Sequence, residues 1–411
     1  MIIEKQQEAI SKVKEGKNVF ITGSGGVGKS FVIKQVYDPL TTLLCAPTGI
    51  SAVNIGGVTA HSAFNLPMGY PTKSECGKIS PSLKQLFGGR SKIKRIIIDE
   101  VGMIRADVLD LINFKLQLIR GNNKPFGGIQ MVVVGDYFQL EPIVKKDEKP
   151  ILAENYKSPF AFSSENWNFE TIELTQVVRQ SDEHQISLLQ SIRRKLPDYK
   201  EALDAIQKNA QPYVNSADTL HLCCYNDDSD RINKDWYSKI ESKEVLYKGD
   251  GSNRNVPVDK DLYLKVGAKV LLCANDPEGM YVNGERGVIT ELHETSVIVT
   301  KDNGTSVVVS PFTWETYKLK STSKGLSKSI DTIFTQLPIR LGWAVSIHKS
   351  QGMTLDKAAI DVGKGCFGHG QLYVALSRVK DLSNLSFVSY VHHKNVIVNQ
   401  AVIDFYNNIG K

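Results

Sequence analysis

NVFITGSGGVGKS, residues 18–30, places this chain among the α/β proteins. Its first five residues have the composition of a buried strand, and the rest matches G-x-x-x-x-G-K-[ST], the P-loop pattern that joins a strand to a helix. In such a loop, glycines let backbone N–H groups curl around phosphates, the lysine reaches the terminal phosphates and the hydroxyl faces Mg²⁺. The segment predicts a nucleotide site formed by Gly23, Gly25, Gly26, Val27, Gly28, Lys29 and Ser30.

Three more apolar runs follow the P-loop at the spacing of a doubly wound α/β fold. They are TLLCAP (42–47), RIIIDE (95–100) and IQMVVVGD (129–136), and a helical pattern at 106–120 lies between the last two. Strands that are apolar throughout are typical of parallel sheets covered on both faces. Residues 65–94 hold several Pro and Gly residues and interrupt this pattern, which predicts either a small insertion or a solvated loop.

A second α/β pattern is predicted from residue 169 onward, with a strand at 219–226. Between 262 and 330 the runs become short and alternating, with Gly and Asn turns typical of hairpins. A small β-barrel inserted in the second half explains this change. The predicted division is a first α/β domain at 1–64 and 95–168, an insertion at 65–94, a second α/β domain at 169–261 and 331–411, and a barrel at 262–330.

Composition sets broad limits on the class of protein. Lys plus Arg is 50 and Asp plus Glu is 44, so the net charge of +6 fits a polyanionic partner without requiring one. None of the six cysteines forms a C-x-x-C pair, which favours buried thiols in a reducing compartment. No signal segment or membrane-length apolar run is present. We therefore predict a cytoplasmic protein without a membrane partner.

Two further strand ends carry candidate catalytic groups. Asp99 ends an apolar run about seventy residues after the P-loop, where a carboxylate holds Mg²⁺ through water. Glu100 follows directly and is predicted to polarise the attacking water, so the pair suits hydrolysis. Gln139, in VVVGDYFQL (132–140), is either a reader of the γ-phosphate or an ordinary surface glutamine.

With these segments the sequence resembles the superfamily 1 helicases, specifically the Pif-type branch related to RecD-like motors. APTGISAVNIGGVTAHSAF (46–64) looks like the first DNA-contacting segment of the family, and residues 107–130 resemble the stretch that marks Pif-type members. VSIHKSQGMTL (345–355) and GQLYVALSR (370–378) resemble the last two motifs. Gly102 departs from the usual Ser of the family, and Glu141 departs from its usual Pro.

The resemblance implies two RecA-like P-loop NTPase domains, with the first insertion acting as a wedge and the barrel as a clamp. It implies ATP and Mg²⁺ as cofactors and 5′-to-3′ movement along single-stranded DNA. Unwinding of forked duplex DNA by a monomer would serve replication, recombination or repair, with further partners among the proteins of those pathways. It also suggests a bacterial or phage-infected cell as the setting.

Individual roles are implied at the positions that match the motifs. Gln6 resembles the glutamine that reads adenine, and Gln351 and Gly352 join the nucleotide site. LTQVVRQ (174–180) contains Arg179, which matches the arginine that contacts the γ-phosphate, and Arg378 matches the arginine finger. For Phe64, packing in the core is the alternative to contact with DNA. The DNA-contacting candidates are Thr48, His61, Phe64, His348, Lys349 and Thr354.

Three rival functions stay open at this point. A metabolic or signalling P-loop NTPase explains residues 23–30 and 99–100 but leaves the second α/β half unexplained. A non-enzymatic module that clamps nucleic acid with ATP has no need of Glu100. A single-stranded DNA translocase with weak unwinding fits every motif.

Overall fold

The computed structural model describes residues 3–67, 69, 73–177, 182–252, 256–322 and 325–409. The chain divides into two compact units. The first comprises Met1–Ser181, Glu315–Asp331 and Asn399–Lys411. The second comprises Asp182–Trp314 and Thr332–Val398.

Alternating helices and strands make up the long N-terminal part of the first unit. In chain order they are α1 (Glu4–Lys14), β1 (Val19–Thr22), α2 (Lys29–Val36), β2 (Thr42–Ala46), α3 (Gly49–Asn54), β3 (Val58–Thr59), α4 (Ala60–Ala63), α5 (Lys73–Cys76), α6 (Pro81–Phe87), β4 (Arg95–Ile98), α7 (Ala106–Arg120), β5 (Gln130–Gly135), α8 (Lys149–Asn155) and β6 (Glu170–Glu173).

The strands of the first unit form one parallel sheet in the order β3-β2-β4-β5-β1-β6. β1, β2 and β5 are buried along almost their whole length, because helices cover both faces of a parallel sheet. Thr22 lies opposite Gly135 at the ends of two neighbouring strands. Since all strands run the same way, the loops after β1, β4 and β5 emerge at one edge of the sheet.

The second unit begins with helices and then becomes rich in strands. From α9 to the end of the chain the elements are α9 (Glu183–Arg194), α10 (Tyr199–Asn209), β7 (His221–Cys223), α11 (Asn226–Ser238), β8 (Val245–Lys248), β9 (Asp250–Gly251), β10 (Asp261–Leu264), β11 (Lys269–Leu272), β12 (Arg286–Leu292), β13 (Val297–Lys301), β14 (Ser306–Val309), β15 (Phe312–Thr322), β16 (Gly325–Gln336), β17 (Ile339–Leu341), β18 (Ala344–Ser346), β19 (Ala358–Asp361), α12 (Gln371–Leu376), β20 (Leu385–Phe387) and α13 (Gln400–Asn407). Most of β15 and of β16, and the whole of α13, belong to the first unit.

Two kinds of sheet share the second unit. A parallel sheet has the order β18-β7-β19-β20, and an antiparallel sheet has the order β14-β13-β12-β11-β17. The antiparallel strands pack around one apolar core that includes Val270, Ile289 and the fully buried Trp343. The hairpin between β13 and β14 turns at Gly304, whose positive φ of 86° suits glycine. Four of the five strands of this antiparallel sheet lie within 262–330, where the alternating pattern predicted a small barrel, but Glu315–Asp331 of that range belongs to the first unit.

The predicted boundary between the two α/β halves is wrong in two places. β6 was assigned to the second half, but it pairs with β1 at the edge of the first sheet. α13 was assigned there as well, but it belongs to the first unit. A local sequence pattern identifies a strand or a helix but not the surface on which it packs. Both β6 and α13 pack on residues that are distant from them in sequence.

The insertion predicted at 65–94 contains two short helices, α5 and α6, within its described part. Leu83, Leu86 and Phe87 of α6 are buried, and the ring of Phe87 stacks on Phe64 at 5.3 Å between ring centroids. A solvated loop, the alternative considered for this segment, does not bury such side chains. Among the described residues, no helix is long and apolar enough to cross a membrane.

Candidate active site

The P-loop joins β1 to α2 and is shaped by its glycines. Gly23, Gly26 and Gly28 all have positive φ, between 81° and 142°, which side-chain-bearing residues rarely adopt. A Cβ on Gly23 would lie 2.3 Å from the carbonyl oxygen of Leu174, so this position also has no room for a side chain. Lys29 is the first residue of α2, and its ammonium donates to the carbonyls of Gly23 (2.7 Å) and Ser24 (2.9 Å).

Gln6 lies directly against this loop. It is buried in α1, and its Nε2 donates to the carbonyl of Val27 at 3.1 Å, while its Oε1 accepts from the backbone N–H of Ile3 at 3.4 Å. A Cβ on Gly28 would lie 2.4 Å from Gln6 Nε2, so glycine at this position lets the amide approach. In the described geometry Gln6 supports the phosphate loop, and its reading of adenine stays a prediction.

Asp99 and Glu100 follow β4 at the same edge of the sheet. Burial raises the pKa of the Asp99 carboxyl, while the backbone N–H of Glu100 and the charge of Lys29 act to lower that pKa. The N–H of Glu100 donates to Asp99 Oδ1 at 2.9 Å. Glu100 has a φ of 52°, a left-handed conformation that is uncommon for a residue with a side chain. Lys29 and the two acids therefore share one electrostatic environment.

Gln139 belongs to the loop after β5 and is buried, with 7% of its surface exposed. Its Nε2 lies 3.5 Å from Asp136 Oδ2, and its backbone N–H donates to the carbonyl of Asp136 at 3.1 Å. The alternative that Gln139 is a surface residue is therefore wrong. Gly102 packs against the same loop, because a Cβ there would lie 2.9 Å from the Asp136 carbonyl oxygen. This contact explains why glycine suits the position.

The nucleotide-site candidates of the second unit follow β18 and α12. Gln351 is half-buried, and Gly352 is exposed with a φ of 83°. Arg378 is 3% exposed, and its guanidinium donates to the carbonyl of Val374 at 2.7 Å and to Ser377 Oγ at 2.9 Å. These bonds fix the arginine within its own unit. Arg179 lies outside the described residues.

The DNA-contact candidates of the first unit have three different environments. Thr48 caps α3, because its hydroxyl accepts from the N–H of Ser51 at 3.2 Å. His61 is half-buried in α4, and its pKa is lowered by burial and then by the charge of Arg105. Phe64 is fully buried and stacks on Phe87. The burial of this ring favours the alternative of packing in the core, and contact of Phe64 with DNA stays a prediction.

Lys115 is a residue that the sequence analysis missed. It lies in α7 and is 2% exposed, and its ammonium donates to the carbonyls of Phe64 (3.0 Å) and Asn65 (2.8 Å) at the end of α4. Burial lowers the pKa of this lysine. The sequence carries one sign of this role, because Lys115 lies four residues after Leu111 and thus on the apolar side of α7. A charged side chain on that side needs a buried hydrogen-bonding partner.

His348, Lys349 and Thr354 lie in the segment after β18. His348 is half-buried, its ring stacks on Phe367 at 5.9 Å between centroids, and burial lowers its pKa. Lys349 is exposed and Thr354 is half-buried. Each keeps some surface for a ligand, in contrast to Phe64, and the DNA contacts of all three stay predictions.

Known proteins resemble this chain over nearly its whole length. Residues 1–213 match the family model described as PIF1-like helicase. ATP-dependent DNA helicase Pif1 from Campylobacter jejuni is 32% identical, over 97% of this chain and 96% of its own. The crystal structure of Bacteroides sp Pif1 in complex with ADP-AlF4 is 34% identical, with a TM-score of 0.90 over 99% of this chain and 96% of that chain.

A second crystal structure, Bacteroides Pif1 bound to ssDNA, is also 34% identical, with a TM-score of 0.71 over 99% of this chain and 96% of that chain. Two longer relatives named ATP-dependent DNA helicase PIF1, from Xenopus laevis and Danio rerio, match this chain over 64% of their own length. The structural match shows the predicted fold class, two RecA-like α/β domains with a small insertion and a small barrel. Together, the family model and the match to Pif1 along almost the full length of both chains show that this chain belongs to the PIF1-like helicase family.

Proposed function

We propose that this chain is an ATP-dependent DNA helicase that moves 5′-to-3′ along single-stranded DNA and separates duplex strands. The observation that carries the proposal is the meeting of the P-loop with Asp99 and Glu100 at one sheet edge. Similarity along the whole chain to proteins named ATP-dependent DNA helicase supplies the substrate and the reaction. The solved complex of Bacteroides Pif1 with ssDNA supports a single strand as the bound form.

In this proposal the loop from Gly23 to Ser30 and the ammonium of Lys29 hold the phosphates of ATP. The carbonyls that accept from Lys29 lie in the same loop, so the side chain already spans the phosphate cradle. Gln6 holds the loop in shape from behind through the carbonyl of Val27. Gln351 and Gly352 of the second unit stay predicted nucleotide-binding residues.

Mg²⁺ fits the donors that are present. The described residues contain no group of three or more His, Cys, Asp or Glu side chains that could hold a metal ion. Mg²⁺ in phosphate-binding proteins takes one or two protein oxygens and completes its shell with water and substrate oxygens. The hydroxyl of Ser30 and the carboxylate of Asp99 are such a pair. When bound, the ion neutralises charge on the phosphates.

Hydrolysis is assigned to Glu100, which is predicted to orient and deprotonate the attacking water. The left-handed backbone at Glu100 sets the direction of its side chain relative to Asp99. Gln139 is assigned to sense the γ-phosphate from the adjacent loop. Arg179 and Arg378 are assigned to neutralise the charge that builds on the transferred phosphoryl group, a contribution worth about 10³–10⁵ in rate where arginines act this way.

The track for DNA is proposed to use Thr48 and His61 in the first unit, and His348, Lys349 and Thr354 in the second. Polar and basic groups suit a single strand whose backbone is negatively charged throughout. We propose the four-part division of the chain with the corrected assignments given above. In it, the 65–94 insertion acts as a wedge at a fork and the barrel acts as a clamp.

Strand separation on two matched substrates tests the function. A duplex with a 5′ single-stranded overhang and one with a 3′ overhang are incubated with and without ATP, and released strand is measured. We expect unwinding that requires ATP and the 5′ overhang. Unwinding from the 3′ overhang alone would contradict the assigned direction.

The rival functions give different results when ATPase activity with and without single-stranded DNA, and DNA binding with and without ATP, are measured beside strand release. ATPase that single-stranded DNA does not stimulate would favour a metabolic NTPase. Stimulated ATPase without strand release would favour a translocase that unwinds weakly. DNA binding that depends on ATP, with no hydrolysis, would favour a clamp and would leave Glu100 without its assigned role.

A further inference from the structure

Helix α13 follows the second unit in sequence but is anchored in the first. Phe405 enters a cluster of aromatic side chains, where its ring stacks on Phe162 at 4.3 Å between centroids and an angle of 9°. The rings of Trp167 and Phe20 lie 5.9 Å and 6.1 Å from Phe405. Aromatic packing of this kind fixes the helix against the first sheet.

The next residue, Tyr406, carries a polar group into this apolar surrounding. Its hydroxyl lies 2.5 Å from Thr22 Oγ1 and accepts from the backbone N–H of Tyr137 at 3.4 Å. Its ring packs on Phe138, with 4.6 Å between the ring centroids. Tyr406 is 6% exposed and Thr22 is fully buried. Hydrogen bonds in such an environment hold their partners at a defined separation.

The two hydrogen-bonding partners of the Tyr406 hydroxyl lie next to one loop of the nucleotide site and within the other. Thr22 is the last residue of β1 and directly precedes Gly23 of the P-loop. Tyr137 lies between Asp136 and Gln139, in the loop after β5. Because β1 and β5 are neighbours in register, one hydroxyl bridges the starting points of both loops.

We propose that Tyr406 is a positioning residue for ATP turnover, whose hydroxyl sets the separation between the P-loop and the loop that carries Gln139. This inference rests on the proposed function. The backbone of the P-loop binds phosphates without help from Gln139, so ATP affinity does not depend on the bridge. Contacts with the γ-phosphate that strengthen during reaction do depend on it, and losing such contacts lowers kcat rather than raising KM.

A purely structural role predicts a different pattern. Removal of one partner of a buried hydrogen bond destabilises a protein, whereas replacement of both partners by apolar groups of similar shape is nearly neutral. Tyr406→Phe removes the hydroxyl and keeps the ring on Phe138, and Thr22→Val removes the other partner with little change in volume. The double variant therefore recovers the stability that a single change loses at the Thr22–Tyr406 pair, while it still lacks the acceptor for the backbone N–H of Tyr137.

The experiment measures kcat and KM for ATP at saturating single-stranded DNA, together with the thermal unfolding midpoint. It uses the full chain in four forms: the unchanged protein, Tyr406→Phe, Thr22→Val and the double variant. Tyr390→Phe serves as the matched control, because it removes a tyrosine hydroxyl that donates to Asp204 at 2.9 Å on the surface of the second unit.

We expect Tyr406→Phe to lower kcat about tenfold with KM changed less than about twofold, since small misplacements near a reacting phosphate reduce rate strongly. The double variant should regain most of the unfolding midpoint and stay slow, and Tyr390→Phe should behave like the unchanged protein. Normal kcat in Tyr406→Phe, or recovery of kcat together with stability in the double variant, would overturn the proposal. If single-stranded DNA does not stimulate the ATPase of the unchanged protein, that result would instead refute the proposed function and, with it, the role of Tyr406.

Discussion

Glu100 holds a backbone conformation that costs roughly 1–3 kcal/mol for a residue with a side chain. Its backbone N–H donates to Asp99 Oδ1 at 2.9 Å, a hydrogen bond that offsets part of this cost. Lys29 lies close enough to Asp99 for its charge to favour the ionised form of that acid. Asp99 and Lys29 are therefore electrostatically coupled, and a change in one alters the environment of the other.

Lys29→Ala should abolish ATPase and unwinding while leaving DNA binding without nucleotide intact. The variant removes the ammonium that spans the phosphate loop, and loss of one preorganised charge contact at a reacting centre costs about 10²–10³ in rate. ATPase assays and DNA binding by fluorescence anisotropy measure the two effects. Lys34→Ala, an exposed lysine of the same helix, is the control. Full ATPase in Lys29→Ala would refute the assigned phosphate site.

His61 predicts a dependence of DNA binding on pH. Its folded-state pKa lies below the ordinary 6.5 because of burial and Arg105, so the unfolded chain binds more protons below that pH. This histidine therefore contributes a loss of stability as pH falls through 6.5. A bound polyanion favours the protonated ring, so single-stranded DNA affinity should rise as pH falls from 7.5 to 6, and less so in His61→Gln.

Anisotropy titrations across this pH range measure the His61 effect. His392→Gln, an exposed histidine of the second unit, should keep the pH dependence of the unchanged protein. An identical dependence in His61→Gln and the unchanged protein would remove His61 from the DNA track.

At the scale of elements, α7 organises the segment that contains His61. Lys115 of this helix binds the last carbonyls of α4, where a positive charge also interacts favourably with the helix dipole. The ring of Phe64, at the end of α4, stacks on Phe87 of α6. Helix α6 of the insertion and the segment that contains His61 are thus linked, directly or through Phe64, to α7.

Lys115→Met should destabilise the first unit by about 1–3 kcal/mol, because it leaves two carbonyls without their donor while keeping the volume of the side chain. Chemical denaturation measures the change, and the exposed Lys84→Met on α6 is the control. DNA-stimulated ATPase should also fall in Lys115→Met, because the end of α4 loses the ammonium that holds it. Equal stability of the two variants would show that the buried ammonium is dispensable.

Sequence patterns predicted the positions of helices and strands better than they predicted which elements pair or pack with one another. β1, β2, β4, β5 and α7 match their predicted positions within a few residues, because apolar runs and helical periods are local properties. The pairing of β6 with β1 was missed because an edge strand is only partly buried and its pattern names no neighbour. The sequence alone did not decide whether Phe64 packs in the core or contacts DNA, because its stacking partner Phe87 is distant in sequence.

At the scale of the whole molecule, the predicted catalytic groups are divided between the two units. Lys29, Asp99, Glu100 and Gln139 lie in the first, and Arg378 lies in the second. The chain passes between the units four times, after residues 181, 314, 331 and 398. The predicted catalytic residues therefore come from segments on both sides of these crossings.

Arg378→Ala should spare ATP binding and stall turnover, with a loss of about 10³ in rate if the arginine acts on the transferred group. Binding of a fluorescent nucleotide and ATPase at saturating DNA separate the two steps. The guanidinium also bonds to the carbonyl of Val374, so the unfolding midpoint must be followed. Arg231→Ala, exposed in the same unit, is the control. Unchanged turnover in Arg378→Ala would remove the assigned role.

The placement of α13 has a consequence for how the protein is made. A ribosome completes the P-loop, the sheet and Trp167 early, yet the helix that covers this aromatic cluster emerges only after the whole second unit. At about 5–20 residues per second, the roughly 220 intervening residues take about 10–45 s to synthesise. During that interval the nascent first unit exposes apolar rings that its own chain cannot yet cover. Chaperone occupancy on the nascent chain should therefore persist until α13 has left the exit tunnel.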